Sequence, residues 1–355
     1  MAVAAGTEDG CHKGDTVMDE CKSRISSEID FEKAGKQTGF LRLPHSVHRS
    51  AYGWLPIPIV CISNGDGPNV LLVSGNHGDE YEGQVILMNL IRELEPKHIR
   101  GRVIILPAAN APAVRAGRRT SPVDFDGEGN LNRAFPGDAN GTPTLMIAHY
   151  IVSELLPHAD YVLDLHSGGS SLMYIPSAET KLGDDVKMNA EAIALVKAFG
   201  LPIGNIGEVL DDRTFAGTAK RLGIKFVGTE LGGGGTVSTE ILAMGEKGVR
   251  RCLKLIGTLP EGYAVEEAPE TRLVYVGGED YFVYAPENGV FEPYVKLGTE
   301  VEKDQPAGAV HFPETPWREP SVTHFKRTGL VLCERTGGRV ERGDCVFHLA
   351  TDTEG

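Results

Sequence analysis

The chain has 355 residues, of which 41% are hydrophobic and 24% are charged, a composition typical of a globular protein with one large core and a smaller unit. Its formal net charge of -14 argues against electrostatic binding to nucleic acid or to an anionic membrane, because both need clustered Lys and Arg. A small-molecule substrate is therefore the favoured partner.

The sequence shows no segment for membrane insertion or export. Its apolar runs are shorter than the roughly 18 residues that a spanning helix needs, and its first residues lack the apolar core of a signal peptide. The six cysteines are scattered without a CxxC spacing, which argues against a disulfide framework and against a thiolate zinc site. We expect a cytoplasmic protein with reduced thiols.

Residues 1–27 are polar, contain glycine and show no periodicity, so we expect a flexible N-terminal tail. Cys11, His12 and Cys21 in this tail belong to residue types that bind metals, but an unstructured extension is the favoured interpretation. The folded part is expected to begin at residue 28.

Residues 28–262 show strand patterns that alternate with helix patterns. Apolar runs predict strands at GFLRLPHS, WLPIPIVCIS, VLLVSG, RVIILPA, YVLDLHSGG and KFVGTELGG. Helical spacing predicts helices at YEGQVILMNLIRELEP, TPTLMIAHYIVSELLP and EAIALVKAFG, the last with Gly200 as its cap. This alternation is typical of an α/β domain with a mostly parallel or mixed sheet flanked by helices.

Residues 270–352 form a second predicted domain, which is all strand and turn and follows the linker-like segment LPEGYAVEEAPETR. The domain repeats itself, since GVFEPYVKLGTEVEKDQ from Gly289 matches GLVLCERTGGRVERGD from Gly329. Such a unit resembles the barrel-sandwich domains of the biotinyl and lipoyl type. Lys326 does not lie in the sequence setting that those carriers modify, so the resemblance implies architecture alone.

The strongest local motif is GNHGDE, which follows the predicted strand VLLVSG and places His77 three residues before Glu80. An imidazole and a carboxylate at this spacing can supply two of the three protein ligands of a catalytic zinc. HxxE alone is common on protein surfaces, but His166 at the end of the strand YVLDLH offers a third ligand. Because functional groups gather at the carboxyl ends of strands in such sheets, we expect His77, Asn110, His166 and Glu230 at one rim.

Two histidines and one glutamate leave a coordination position for water, whose pKa zinc lowers to about 7. This chemistry favours hydrolysis, which needs a carboxylate outside the metal ligands to carry a proton. Glu230 in TELGGGG is the candidate general base, and the alternative is an ordinary carboxylate near the start of the helix that GTVSTEILAM predicts. Cobalt or manganese would also accept these ligands, and the sequence does not choose among the metals.

The segment AGRRTSPVDFDGEGNLNRAFPG predicts a long loop, and loops of this length in a compact domain are often functional. Arg118, Arg119 and Arg133 offer guanidinium groups suited to a substrate carboxylate or a developing oxyanion, and Asn132 can share the carboxylate. The alternative for any one of these arginines is a solvated surface charge.

The sequence resembles the succinylglutamate desuccinylase and aspartoacylase family, relatives of the zinc carboxypeptidases, at four motifs in order. These are GNHGDEYEG, the loop from GRRTSP to AFPG, DLHSGG and TELG. The resemblance runs from about residue 40 to the C-terminus and implies one zinc per chain. The implied roles are zinc ligation by His77, Glu80 and His166, general base catalysis by Glu230, polarisation of the scissile carbonyl by Arg119, and binding of the substrate carboxylate by Asn132 and Arg133.

Two further features follow from this resemblance. Arg119 is chosen over Arg118 because NAPAVRAGRRT matches the family's Asn-Pro-x-Ala-Val run. A family tyrosine reaches the site from the C-terminal domain, and Tyr281 and Tyr284 are both candidates for it.

Within the family, the chain most resembles the deacetylases of ectoine degradation, which release acetate from N2-acetyl-L-2,4-diaminobutyrate. The segments that carry this resemblance are ISSEIDFEKAGKQTGFLRLPHS and IPIVCISNGDGP. The cationic side chain of that substrate would need an acidic neighbour, and Asp124, Asp126 and Glu128 are candidates. Solvation of the loop or an Asx turn is the alternative for each. Asp164, two residues before His166 on the same strand face, either supports a metal ligand or lies at the edge of the core.

Competing functions stay open at this point. Desuccinylase, aspartoacylase or carboxypeptidase activity would require an extra cation in the pocket for an anionic substrate. A non-catalytic binding protein on the same fold is a further alternative, although the three metal-ligand candidates and Glu230 argue against it. The expected partner is a small N-acyl amino acid rather than nucleic acid or membrane, and a homodimer is left open.

Overall fold

A computed structural model of the chain describes residues 22–125, 128–207 and 211–354. Cys11, His12 and Cys21 of the predicted tail lie outside the described residues. Near the end of that predicted tail, Ile25 is buried and Ser26–Ser27 pairs with the first long strand. Strand pairing therefore begins before residue 28, within the segment that was predicted as a flexible tail.

The α-helices of the described residues lie between the strands of the first domain or directly after them. They are α1 (Tyr81–Glu93), α2 (Ala111–Ala116), α3 (Pro143–Tyr150), α4 (Val186–Phe199), α5 (Phe215–Arg221) and α6 (Thr239–Ile256). A π-helical turn, Ile151–Leu155, extends α3, and Gly200 caps α4 in the left-handed conformation as predicted. Each of these helices is too short or too polar to cross a membrane.

The strands of the first domain begin with a long antiparallel hairpin. They are β1 (Ser26–Ser27), β2 (Gly35–Pro44), β3 (Trp54–Asn64), β4 (Asn69–Ser74), β5 (Gly101–Leu106), β6 (Tyr161–His166), β7 (Leu172–Tyr174), β8 (Ser177–Lys181), β9 (Ile203–Gly207) and β10 (Lys225–Glu230). The strands after α6 are β11 (Arg272–Tyr275), β12 (Phe282–Tyr284), β13 (Gly289–Pro293), β14 (Glu300–Val301), β15 (Pro306–His311), β16 (Ser321–His324), β17 (Gly329–Arg335), β18 (Arg339–Val340) and β19 (Cys345–Asp352).

The large sheet is mixed, in the order β1-β2-β3-β5-β4-β6-β10-β8-β9-β11-β19-β17-β14. β5, β4, β6 and β10 form its parallel centre, and β8 runs antiparallel to β10. This reversal has a topological cause, because β6 and β8 are joined without the crossover helix that a parallel connection requires. The sheet also continues through β9 and β11 into the C-terminal strands.

Helices cover both faces of the sheet, as the α/β pattern predicts. One core packs α3 and α5 against the face that carries Val162 and Phe226. The other packs α1, α4 and α6 against the face that carries Leu163 and Val227. Alternate residues of a strand point to opposite faces, so Asp164 and His166 share the face of Val162.

The C-terminal repeat forms two interlocked β units around a third core. β13 pairs with β18, and β17 pairs with β14, so each half of the repeat supplies a strand that pairs with the other half. β13, β15, β16 and β18 make a separate antiparallel sheet. The predicted pattern of strand, glycine turn and strand is confirmed in both halves.

Candidate metal centre and active site

The carboxyl ends of the central strands bring the predicted site residues to one rim. His166 and Glu230 are the last residues of β6 and β10, and they are direct neighbours in the parallel register. His77 follows β4 by three residues, in the turn that leads to α1. Asn110, also predicted here, donates from Nδ2 to Gly129 O at 3.1 Å and thus supports the long loop.

The turn between β4 and α1 depends on a glycine. A Cβ at Gly78 would lie 2.0 Å from the carbonyl group of Ala113 in α2, so this position accepts no side chain. The close approach lets the turn pack directly on α2. His77 and Glu80, on either side of Gly78 in the turn, therefore hold fixed positions above the strand ends.

The three predicted metal ligands meet in one buried cluster. His77 Nδ1 lies 2.6 Å from Glu80 Oε1, and His166 Nδ1 lies 2.8 Å from Glu80 Oε2. One candidate ligand atom from each residue lies within 4.8 Å of those of the other two. The spacing and the donor types fit one divalent cation of the zinc class.

The outer nitrogen of each imidazole has its own acceptor. His166 Nε2 donates to Asp164 Oδ2 at 2.8 Å, and His77 Nε2 lies 3.0 Å from Asn130 Oδ1. A hydrogen bond at Nε2 fixes the ring orientation and leaves the Nδ1 lone pair for a metal. Asn76 in turn donates from Nδ2 to both oxygens of Asp164 at 2.9 Å. Asp164 therefore contacts a metal-ligand candidate, as one of its two predicted placements required.

The charges of the cluster suit a bound cation. Burial opposes the charged form of Glu80, but His77 and His166 outweigh it and hold the pKa of the carboxyl well below its usual range. Burial likewise disfavours the charged form of His166, yet Asp164 and Glu80 raise its pKa well above the usual value. These carboxylates create a strongly negative potential at the histidines, which a divalent cation can satisfy as well as protons can.

Glu230 lies beside the cluster and is only partly buried. Its Oε2 is buried and has no hydrogen-bond partner among the described residues. Burial and then the negative charge of Glu80 raise the pKa of Glu230 well above its usual value, while His166 and Arg119 oppose the shift. A carboxylate with a raised pKa at the edge of a metal site can accept and return a proton near neutral pH.

Arg119, rather than Arg118, approaches the cluster. Its Nη1 lies 3.3 Å from His77 Nδ1 and donates to Glu80 Oε1 at 3.5 Å. Arg118 is exposed, and its carbonyl accepts from Gly78 N at 2.9 Å. The preference for Arg119 therefore has geometric support.

Asn132 and Arg133 lie in a short 3-10 turn, Leu131–Arg133, directly after Asn130, the partner of His77. Asn132 Oδ1 accepts from Phe215 N at the start of α5 at 2.9 Å, so its Nδ2 is the group that can face a ligand. Arg133 pairs with Asp211 at 3.3 Å. Burial lowers the pKa of Arg133; Asp211 opposes this shift, and the positive charge of Arg119 adds to it. The guanidinium groups of Arg119 and Arg133 therefore interact electrostatically.

Comparison with known proteins identifies the family of the chain. Residues 66–256 match the family model described as the succinylglutamate desuccinylase/aspartoacylase catalytic domain. The chain is also 40% identical over 333 residues to the N-alpha-acetyl-L-2,4-diaminobutyric acid deacetylase of Halomonas elongata, covering 94% of this chain and 96% of that protein. The chain belongs to the succinylglutamate desuccinylase/aspartoacylase family.

Solved structures of family members cover the whole fold. A succinylglutamate desuccinylase/aspartoacylase from Rhodobacter sphaeroides is 40% identical, with a TM-score of 0.86 over 93% of this chain and 100% of that one. The product-bound ectoine utilization protein EutE of Ruegeria pomeroyi is 38% identical, with a TM-score of 0.86 over 93% and 99% of the two chains. The similarity extends through the C-terminal strands.

Tyr281 and Tyr284, the two candidates for a tyrosine that reaches the site from the C-terminal domain, have other contacts in the structure. Tyr281 is buried in the C-terminal core, where its hydroxyl bonds Thr351 Oγ1 at 2.9 Å. Tyr284 is exposed and packs near Phe282. Tyr174 of β7, which pairs with β17, interacts electrostatically with Glu230: burial, then Cys333 and then Glu230, raise its pKa well above the usual value.

The acidic residues predicted to face a cationic substrate have other surroundings. Asp124 accepts hydrogen bonds from Thr144 N and Oγ1, both at 2.8 Å, near the start of α3. Glu128 is exposed, and Asp126 lies outside the described residues. The sequence analysis missed Glu179 of β8, whose electrostatic influence reaches both Glu230 and His166. Its segment, SAETK, carries no apolar periodicity that would have marked a strand.

Proposed function

We propose that this protein is a zinc-dependent amidohydrolase that deacetylates N2-acetyl-L-2,4-diaminobutyrate to acetate and 2,4-diaminobutyrate. The observation that carries the proposal is the convergence of two imidazole Nδ1 atoms on Glu80, with Glu230 beside them. The 40% identical relative named as a deacetylase of this substrate supports the choice of acyl group and amino acid. The similar protein of Ruegeria pomeroyi, which is named for ectoine utilization, supports a role in ectoine degradation.

His77, Glu80 and His166 would hold one zinc per chain. The acceptors at both Nε2 atoms support this assignment, because they leave both Nδ1 atoms free for the metal. When bound, zinc polarises the substrate carbonyl and lowers the pKa of water. The mixed sheet with its ligands at the strand ends also supports a relationship to the zinc carboxypeptidases.

Glu230 acts as general base and then as general acid in this proposal. It takes a proton from the water whose oxygen bonds the acetyl carbon, and it returns that proton to the amide nitrogen as the C–N bond breaks. Its partly buried position and raised pKa suit both steps. The products are acetate and the free α-amine.

The arginines and Asn132 orient the substrate. Arg119 donates toward the carbonyl oxygen on which negative charge develops, since its Nη1 already lies within 3.5 Å of Glu80 Oε1. Asn132 Nδ2 and the free side of the Arg133 guanidinium bind the α-carboxylate. The α-carboxylate then holds the acetyl group over the metal site.

Metal analysis and a substrate panel test the proposal directly. Purified protein is expected to contain about one zinc per chain and to release acetate from acetyl-diaminobutyrate faster than from acetyl-aspartate, with succinyl-glutamate turned over least. Removal of zinc by a chelator should abolish turnover, and added zinc should restore it. Preference for an anionic substrate, or full activity without metal, would contradict the proposal.

Glu230→Gln tests the proton carrier. The variant should retain zinc and lose about a hundredfold to ten-thousandfold in kcat, since a positioned acid-base group contributes that much. Glu240→Gln, an exposed carboxylate in the first turn of α6, is the matched control and should retain activity. An unchanged kcat in Glu230→Gln would remove the assignment.

The cytoplasmic location, a homodimer and the domain limits 28–262 and 270–352 stay predictions.

A further inference from the structure

β8 places a second carboxylate next to the proposed general base. Glu179 pairs with Gly228 of β10, and Glu230 lies two residues further along the same strand. Alternate residues share a face of a sheet, so Glu179 and Glu230 lie on the same side. Diagonal neighbours of this kind in an antiparallel pair are about 7–8 Å apart.

Gly228 allows the Glu179 side chain to lie across β10. A Cβ at Gly228 would meet Glu179 Cγ at 3.1 Å and Glu179 Oε1 at 3.3 Å. On its other side, Gly228 pairs with Asp164 of β6, the strand that ends in His166. The Glu179 carboxylate therefore points from β8 toward the strand of the metal ligand.

Two acceptor oxygens near this position lack donors. Glu179 Oε2 accepts from Lys181 Nζ at 3.3 Å and from Asn205 Nδ2 at 3.4 Å, both long contacts, whereas Oε1 accepts no hydrogen bond from the described residues. Asn205 Oδ1 is buried and also has no partner within the described part of the chain. Asn205 Oδ1, as a buried acceptor without a donor, costs free energy that a bound donor group would recover.

The charges around these oxygens favour a cation. Glu179 and Glu230 bring two carboxylates to this face of the sheet, and Lys181 brings one ammonium. Burial opposes ionisation of Glu179, but Lys181, with further contributions from His166 and His348, outweighs it and lowers the pKa of that carboxyl. The ionised Glu179, whose ion pair with Lys181 is long at 3.3 Å, can accept a hydrogen bond from a further cation.

We propose that Glu179 and Asn205 bind the side-chain ammonium of the substrate and thereby select a cationic N-acyl amino acid. This inference rests on the proposed function. The distal ammonium of 2,4-diaminobutyrate lies about 4 Å from its α-carbon, given bonds of about 1.5 Å. A substrate with its scissile nitrogen near Glu230 thus extends its ammonium about one strand away, toward β8. An ammonium offers three donors, enough for Glu179 Oε1 and Asn205 Oδ1 together.

The test compares Glu179→Gln with the wild-type enzyme on two substrates of equal carbon skeleton. N2-acetyl-L-2,4-diaminobutyrate carries the ammonium, and N-acetyl-L-2-aminobutyrate lacks it. The variant should lose about tenfold to a hundredfold in kcat/KM on the cationic substrate, mainly through KM, because a charged hydrogen bond is lost. On the neutral substrate, kcat/KM should change less than threefold. Glu240→Gln, which alters an exposed acid in the first turn of α6, is the matched control.

A binding measurement keeps the test independent of the variant's folding. The wild-type enzyme should bind L-2,4-diaminobutyrate at least tenfold more tightly than L-2-aminobutyrate by calorimetry. An equal loss on both substrates in Glu179→Gln, or equal binding of the two amino acids, would overturn the inference. Wild-type activity on acetyl-aspartate but not on acetyl-diaminobutyrate would instead refute the proposed substrate, and Lys181→Gln would then test whether Lys181 binds the anion.

Discussion

Asp164→Asn should weaken zinc binding while leaving the three metal ligands unchanged. Asp164 Oδ2 accepts from His166 Nε2 at 2.8 Å, and both Asp164 oxygens accept from Asn76 Nδ2 at 2.9 Å. Asparagine keeps one acceptor oxygen and replaces the other with an N–H donor. With the new N–H group at the Oδ2 position, both His166 and Asn76 would face a donor there. With the N–H group at the Oδ1 position, Asn76 would face a donor and His166 would keep only an uncharged acceptor, so the metal-binding ring would be less well fixed in either orientation.

The size of the effect follows from the hydrogen bond that is lost. A hydrogen bond to a charged group contributes about 1.5–3 kcal/mol, which corresponds to about tenfold to 150-fold in a dissociation constant at about 1.4 kcal/mol per tenfold. Outer partners of metal-bound histidines typically contribute about tenfold to a hundredfold. We therefore expect the Kd for zinc to rise about tenfold to a hundredfold.

Competition with a chelator of known zinc affinity measures this Kd, and kcat at saturating zinc shows how much activity returns. Asp160→Asn is the matched control, since Asp160 is an exposed carboxylate just before the same strand and bonds Asn69. Its zinc Kd should equal that of the wild-type protein. An unchanged Kd in Asp164→Asn would refute the claim that this carboxylate orients His166.

Three further predictions address other parts of the chain. Arg119→Ala should lower kcat about a hundredfold to a thousandfold, as for loss of an oxyanion donor, whereas Arg118→Ala should change it little in the same steady-state assay. Burial, helped by Lys181, lowers the pKa of His348 to about 4. As the pH falls below the ordinary histidine pKa of about 6.5, the unfolded chain therefore binds this proton first. The free energy of unfolding should fall by about 3 kcal/mol between pH 6.5 and pH 4. His348→Phe should remove that part of the pH dependence in urea unfolding at pH 7 and pH 4. Asp185→Ala should cost about 1 kcal/mol of unfolding free energy with kcat unchanged, because the Asp185 side chain caps α4.

The first domain could be predicted well where hydrophobic patterns are strong. Buried strands such as Asn69–Ser74 and Tyr161–His166 have continuous apolar runs, because both of their faces are covered. β8 and β9 could not be predicted in this way, because SAETK and IGNIG carry polar or small residues where a strand pattern needs apolar ones. Glu179 and Asn205, the residues proposed to bind the substrate ammonium, are among those that interrupt the pattern.

The metal cluster could be predicted because its ligands follow strong strands and strand ends converge. The partners of those ligands were harder to identify. Asn130 lies in a loop 53 residues after His77 and contacts it only through the tertiary fold. Asp164 was marked by its spacing from His166, but Asn76 had no pattern of its own. A contact between a loop and a strand end depends on packing that a one-dimensional pattern does not contain.

The residues proposed to carry out the reaction lie at strand ends of the parallel centre, whereas the residue proposed to select the substrate lies on the neighbouring strand β8. His166 and Glu230 are neighbours in a hydrogen-bonded register, so a shift of either one would disrupt the parallel centre of the sheet. Glu179, the residue proposed to select the substrate, belongs to the short antiparallel strand β8, where a change of side chain leaves that register intact. A family that hydrolyses several acyl amino acids can therefore keep its metal site fixed and vary its substrate at positions such as Glu179.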